Sequence, residues 1–147
     1  MTDLRKKALR RFPLVALAVF VLAAAATGCG GKKAVYPVHG VVFDAKHKPA
    51  KGTILIFHPA GGDTSEIVKP VATADDNGEF FLTTYEAHDG APAGDYVVTM
   101  IRPAPKRTPL DREGGDLFRG RYADPAVSKI TCTVAKQPEN EMKIQLP

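Results

Sequence analysis

ADDNGEFFLTT, residues 74–84, holds an Asn-Gly pair at 77 and 78, and after it Phe80 and Leu82 fall on one side of an alternating segment. Asn-Gly between two strand-like segments is a strong short-range hairpin signal, because both residue types tolerate positive φ. Residues 68–73 read as the strand before the turn. Pro70 assigns that strand to a sheet edge, since proline cannot donate to a ladder. The same period of two runs outward in both directions. In VYPVHGVVFD (35–44) Val38, Gly40 and Val42 share a face, and in DYVVTMI (95–101) Tyr96, Val98 and Met100 do. KITCTV (129–134) aligns Ile130, Cys132 and Val134, and EMKIQLP (141–147) aligns Met142, Ile144 and Leu146. TILIFHP (53–59) is apolar on both sides, Ile54 and Ile56 against Leu55 and Phe57, and reads as a strand buried on both faces. No helical period lasts beyond two turns. Two stacked antiparallel sheets bury these faces economically, so the expected fold is all-β, a seven-stranded antiparallel β-sandwich over residues 35–147.

The N-terminal segment is of another kind. Arg5, Lys6, Lys7, Arg10 and Arg11 precede sixteen uncharged residues, 12–27, that end in small side chains before Cys29. That is the order of an export signal, and the apolar run is shorter than the ~20 residues a spanning helix needs. Ala26-Thr27-Gly28-Cys29 resembles the lipobox of bacterial lipoproteins, with Ala26 where leucine is usual. The resemblance implies cleavage after residue 28, lipidation of Cys29 and a flexible acylated tether over 29–34; more than one acyl chain gives stable anchoring. Cleavage removes five of the 20 basic and one of the 16 acidic residues, leaving 15 of each. The basic pI of about 9.1 therefore belongs to the removed segment and gives no support for a nucleic-acid partner. With Cys29 acylated only Cys132 remains, so no intrachain disulfide forms in the mature chain.

The domain's motifs resemble a family. Val38-His39-Gly40-Val41-Val42-Phe43-Asp44, then Lys48-Pro49-Ala50-Lys51-Gly52 and Ile54-Leu55-Ile56, look like the opening of carboxypeptidase-regulatory-like, transthyretin-like domains. Asp75-Asp76-Asn77-Gly78-Glu79-Phe80 looks like their hairpin, and Gly94-Asp95-Tyr96-Val97-Val98 like their Gly-x-Tyr strand; Lys48 stands where the family often has glycine. The resemblance covers about 35–101 and implies a transthyretin-like, Ig-like sandwich. Each motif also has a structural reason. Gly40 permits close approach, and Tyr96 is expected to be a corner tyrosine whose hydroxyl bonds nearby backbone.

Chemistry is sparse. His39, His47, His58 and His88 lack metal-ligand spacing; His39 and His58 come together only if the first two strands pair. Asp75, Asp76, Asn77 and Glu79 crowd oxygens around one turn without an EF-hand loop, so no metal is assigned. Ser65 and Ser128 are outside any nucleophile elbow, and Cys132 sits in a strand as a small hydrophobe. The enzyme families of this fold do not transfer. The chain lacks the C-terminal Tyr-Arg-Gly-Ser of hydroxyisourate hydrolases, and residues 101–105 lack the histidines of intradiol dioxygenases. No catalysis and no cofactor are expected.

Residues 102–127 form a loop longer than packing requires, and such loops in compact domains usually carry function or disorder. Its second half is expected to dock through Leu117 and Tyr122. Arg119, Arg121 and Tyr122 then form a patch for an acidic or glycan partner; read structurally, the loop is a lid over a sheet edge. The expectation is a lipid-anchored cell-envelope module, binding or structural, in contact with the membrane through its lipid and with an envelope protein or polysaccharide. Gly30, lacking the aspartate that retains some lipoproteins at the inner membrane, favours the outer membrane where one exists. The alternative is a carbohydrate-binding module stacking sugars on Tyr36, Tyr85 or Tyr122.

Overall fold

The computed structural model describes residues 32–61, 68–105, 108 and 114–147. The expected signal peptide, residues 1–28, and Cys29 lie outside the described residues, as does Ser65. The described residues contain no helix and nine strands: β1 (Val35–Tyr36), β2 (Val38–Phe43), β3 (Ile54–Pro59), β4 (Val71–Thr73), β5 (Glu79–Phe81), β6 (Ala91–Pro92), β7 (Gly94–Ile101), β8 (Thr131–Val134) and β9 (Asn140–Gln145). They form a two-stranded ribbon, β1-β6, a three-stranded sheet ordered β5-β2-β9 and a four-stranded sheet ordered β4-β3-β7-β8.

The two larger sheets share one core, giving a sandwich-like all-β fold. Val38, Val42, Phe80 and Ile144 enter it from the three-stranded sheet, and Leu55, Phe57, Tyr96, Val98, Met100 and Val134 from the four-stranded one. These are the residues that strand alternation turns to one side. Phe57 of β3 bridges the layers, its ring centroid 6.4 Å from Phe80 of β5 and 6.0 Å from Tyr96 of β7. The Tyr96 hydroxyl donates to the Pro92 carbonyl at 2.7 Å, four residues upstream, as a corner tyrosine does. Burial pushes its pKa up to about 12, with smaller contributions from Cys132 and Tyr85.

Four expectations need correction. Nine strands replace seven, because β1 and β6 have two residues each, too few to show a period, and exist through pairing with one another. The sandwich is not wholly antiparallel, since β2 and β9 run parallel from Val38↔Asn140 to Phe43↔Gln145. Alternation is the same in either direction; what sets the direction is the crossing from β8 to β9. There buried Asn140 accepts from the Ala135 amide at 2.9 Å and donates to the Pro37 carbonyl at 3.2 Å. Third, Ile54 and Ile56 are half-buried while Leu55 and Phe57 are fully buried, so β3 is sealed on one face only.

The fourth concerns the hairpin. Its turn forms: the Gly78 amide donates to the Asp75 carbonyl at 3.1 Å, and the Asp75 amide to the Glu79 carbonyl at 2.8 Å. Gly78 has φ 79°, and no other residue of the turn enters the left-handed region. Yet β4 pairs with β3 and β5 with β2, in different sheets. The strands flanking the turn part after it and meet again only at a bridge between Val71 and Thr83. The turn is a corner between the layers, because the Ala74 amide donates to the Thr53 carbonyl and the Gly78 carbonyl accepts from the Val42 amide.

Candidate functional site

Loop 102–127 is folded where it is described. Its stem is zipped: the Leu117 amide donates to the Arg102 carbonyl at 2.8 Å and the Ala104 amide to the Gly115 carbonyl at 3.0 Å. Asp116 organises the turns beyond this stem, accepting on one oxygen from the Arg102 and Phe118 amides, at 2.8 and 3.0 Å, and on the other from the Gly120 amide at 2.8 Å. Three overlapping turns carry the chain from Asp116 to Ala123. Arg119 and Gly120 sit at φ 55° and 74°; a left-handed arginine is uncommon and is held here by its neighbours' bonds.

The loop also reaches the edge of β7. The Val97–Thr131 pair ends the β7-β8 ladder. Beyond it, the Val98 amide donates to the Ile130 carbonyl and the Met100 amide to the Tyr122 carbonyl, both at 2.8 Å, while Ser128 Oγ donates to the Val98 carbonyl at 2.6 Å. Residues 128–130 thus continue the β8 side of β7, and the loop itself adds the Tyr122 carbonyl beyond them. Tyr122 is the anchor, 8% exposed, with its ring edge-on to Phe118 at 5.4 Å and its hydroxyl donating to the Pro147 carbonyl at 3.4 Å. Leu117, expected as the second anchor, is 52% exposed; Phe118 packs inward in its place.

Arg119, Arg121 and Tyr122 do converge, around a recess of ≈ 590 Å³ closed on the other side by the turn after β2. That turn contributes Lys46 and is tied by Asp44, whose carboxylate accepts from the Lys46 and Lys48 amides at 2.8 and 3.0 Å. The Lys48 amide lowers the Asp44 pKa most; burial opposes it, and the Lys46 amide and the charge of Arg102 add to the lowering, so the net shift is downward. At Asp116 burial raises the pKa, but its three amide donors outweigh it and the net shift is downward. Backbone amides thus engage one oxygen of Asp44 and both oxygens of Asp116. Neither carboxylate nor any other described residue forms an ion pair with Lys46, Arg119 or Arg121; the two described pairs are Lys51–Asp76 and His39–Glu139.

The remaining candidates are separated. β2 and β3 belong to different sheets, so His39 and His58 do not meet. The His58 ring nitrogen lies 2.8 Å from Thr99 Oγ1, and burial, then the charge of Lys69, lowers its pKa. Among the described residues no group of three His, Cys, Asp or Glu is placed to hold a metal. Asp75 is engaged by the Asn77 and Glu79 amides and Asp76 by Lys51. Burial, then the charge of Asp95, pushes the Cys132 thiol up to about 12, so it is not a thiolate near neutrality.

Sequence reasoning missed one exposed aromatic. Of the expected platforms, Tyr122 is buried and Tyr36 and Tyr85 are half-buried, whereas Phe81 is 50% exposed. It lies between His39 (6.0 Å) and His88 (5.2 Å) and borders a second recess of ≈ 490 Å³ that includes Val71, Asp75 and Glu79. The alternation of β5, which turns Phe80 inward and Phe81 outward, is the signal that could have found it.

Asp89 gives the loop after β5 an acid-sensitive clasp, its carboxylate accepting from the amides of Thr84, Tyr85 and Glu86. Burial raises its pKa, but the amides outweigh it and the net shift is downward from 3.8. A depressed carboxylate contributes stability above the unfolded value, which is lost as pH falls through the folded one. Wild type is expected to lose stability below about pH 4, with a shallower decline in Asp89→Ala, measured as urea midpoints from about pH 7 to about pH 2. An identical decline in the variant would remove Asp89 from the account.

No protein-family model and no curated protein matches this chain. Among solved structures it is similar to a 9R-lipoxygenase from Cyanothece PCC8801, at 12% identity and TM-score 0.43, over 92% of this chain and 21% of that one. The chain thus spans about a fifth of that protein's length, and a likeness of this size assigns nothing to it.

Proposed function

We propose that this chain is a non-catalytic, lipid-anchored module of the cell envelope with a transthyretin-like sandwich, which engages a partner through the recess between loop 102–127 and the turn after β2. The observation that carries the binding role is a set of cations, Lys46, Arg119 and Arg121, held around one concavity beside exposed Leu117 and without ion pairs among the described residues. Loops on a rigid sandwich are where binding residues concentrate. The anchor is inferred from the charged, apolar and small-residue order of residues 5–29 and the lipobox-like Cys29. The chain enters the sandwich at β1, and the recess lies past the other end of β2, about 17 Å of strand away.

A second reading, carbohydrate binding, draws on Phe81, whose exposed ring adjoins a recess with hydroxyl and carboxylate groups. One pair of measurements tests both. Intact mass and membrane fractionation in the native host are expected to show a chain starting at Cys29 with added acyl mass, absent in Cys29→Ala. Retention of residues 1–28 without modification would overturn the anchor. A saturable rise in melting temperature with soluble envelope polysaccharide, lost in Phe81→Ala, would place the second reading first.

A further inference from the structure

We infer that the recess formed by Lys46, Arg119 and Arg121 binds an acidic peptide segment of a partner protein, with an apolar side chain of that segment lying against Leu117. This rests on the binding role proposed above and names its ligand class.

Charge is the first argument. Three cations line the recess and Arg102 is close enough to depress the Asp44 carboxyl, while one oxygen of Asp44 and both oxygens of Asp116 accept from backbone amides. Asp44 also lines the recess and is held ionised by its amide donors, so the described lining side chains set three cations against one carboxylate and the balance is positive. Arginine's planar fork matches a carboxylate in bidentate fashion, which lysine's point charge does not. Two such forks two residues apart, on turns tied by Asp116, offer a partly ordered receptor and reduce the ordering that binding requires.

Shape and polarity distinguish among anions. Leu117 is half-exposed at the rim, Phe118 is half-buried and Leu146 is buried beneath, so the recess is apolar between its charges. A highly hydrated polyanion leaves that surface unused. A sugar chain lacks a stacking platform here, since the recess shows little of Tyr122, which is 8% exposed with Phe118 against its ring. A peptide alternating carboxylates with an apolar residue satisfies both features.

The test is selection of random displayed peptides on the full-length protein in neutral detergent, run in parallel on Arg119→Ala with Arg121→Ala. Wild type is expected to enrich Asp and Glu around Leu, Ile or Phe, and the double variant is not. A synthetic copy of the leading peptide is expected to bind wild type about tenfold or more tighter than the double variant, and to bind Leu117→Ser more weakly than wild type. Binding is also expected to weaken between about 50 and about 500 mM salt, as charge attraction is screened. All three positions are exposed, and unchanged melting temperatures verify that the variants fold. Absence of acidic enrichment, or equal binding by the double variant, overturns the inference. So does saturable binding of polygalacturonate or phosphatidylglycerol vesicles that requires the two arginines while the peptide does not bind. Cys29→Ala protein carried through the same selection separates the outcomes: its peptide binding is independent of whether the anchor reading holds.

Discussion

Phe57→Ala is expected to lower the free energy of unfolding by about 3–5 kcal/mol, the range found for emptying a buried phenylalanine site. Phe57 is fully buried and stands between the layers, touching Phe80 from the three-stranded sheet and Tyr96 from its own. Truncation removes the transfer free energy of the ring and leaves a void that strands tied on both sides cannot readily close. The two aromatic contacts add about 0.5–1.5 kcal/mol each beyond area alone. For a domain whose whole stability lies at roughly 5–15 kcal/mol, that is a large part of it. Urea unfolding measures it, with Phe57→Leu as a milder companion. A midpoint for Phe57→Ala within error of wild type would mean that the layers do not meet at this ring.

Gly40→Ala ranks second, with an expected loss of about 3 kcal/mol, at the upper end for overpacking. A methyl carbon at position 40 stands 2.3 Å from the Met142 carbonyl oxygen of β9 and 2.8 Å from the Phe80 ring. The first of these is backbone in a parallel ladder, which cannot swing aside as a flexible side chain does. Either β2 and β9 separate or Phe80 leaves its place in the core. Gly115→Ala is the control, because its added carbon meets nothing within 4 Å, and it is expected to stay within about 0.5 kcal/mol of wild type. Equal effects from the two substitutions would rule out close approach as the reason for Gly40.

Both predictions rest on residues that alternation marks in the sequence, though for different reasons. Phe57 falls on a face with Leu55, and such a face is legible because burial of a strand is periodic. Gly40 is legible as a position of close approach, but the atoms it approaches are not. They belong to Phe80 of β5 and Met142 of β9, both distant along the chain, and Met142 is brought there by a parallel pairing that the pattern does not specify.

The candidate site divides similarly. Arg119, Arg121 and Tyr122 stand out in the sequence because arginines and a tyrosine recur within a loop too long for packing alone. Lys46 does not, lying in an ordinary turn far earlier in the chain; it joins the site because the turn after β2 and the folded loop meet. Leu117 and Phe118 are adjacent and similarly apolar, and which one points inward depends on the Asp116 turn rather than on their hydrophobicity.

By itself, the sequence determined the all-β class, the inward faces of the principal strands, the corner tyrosine and the loop that bears the arginines. Each comes from local chemistry, in alternation of side chains, turn residues and a hydroxyl four residues from its acceptor. Tertiary structure alone decided the parallel β2-β9 pair, the division of β4 and β5 between sheets, the exposure of Phe81 and the convergence of Lys46 with Arg119 and Arg121. Those depend on which distant segments share a core, and a period of two is the same whichever neighbour a strand pairs with.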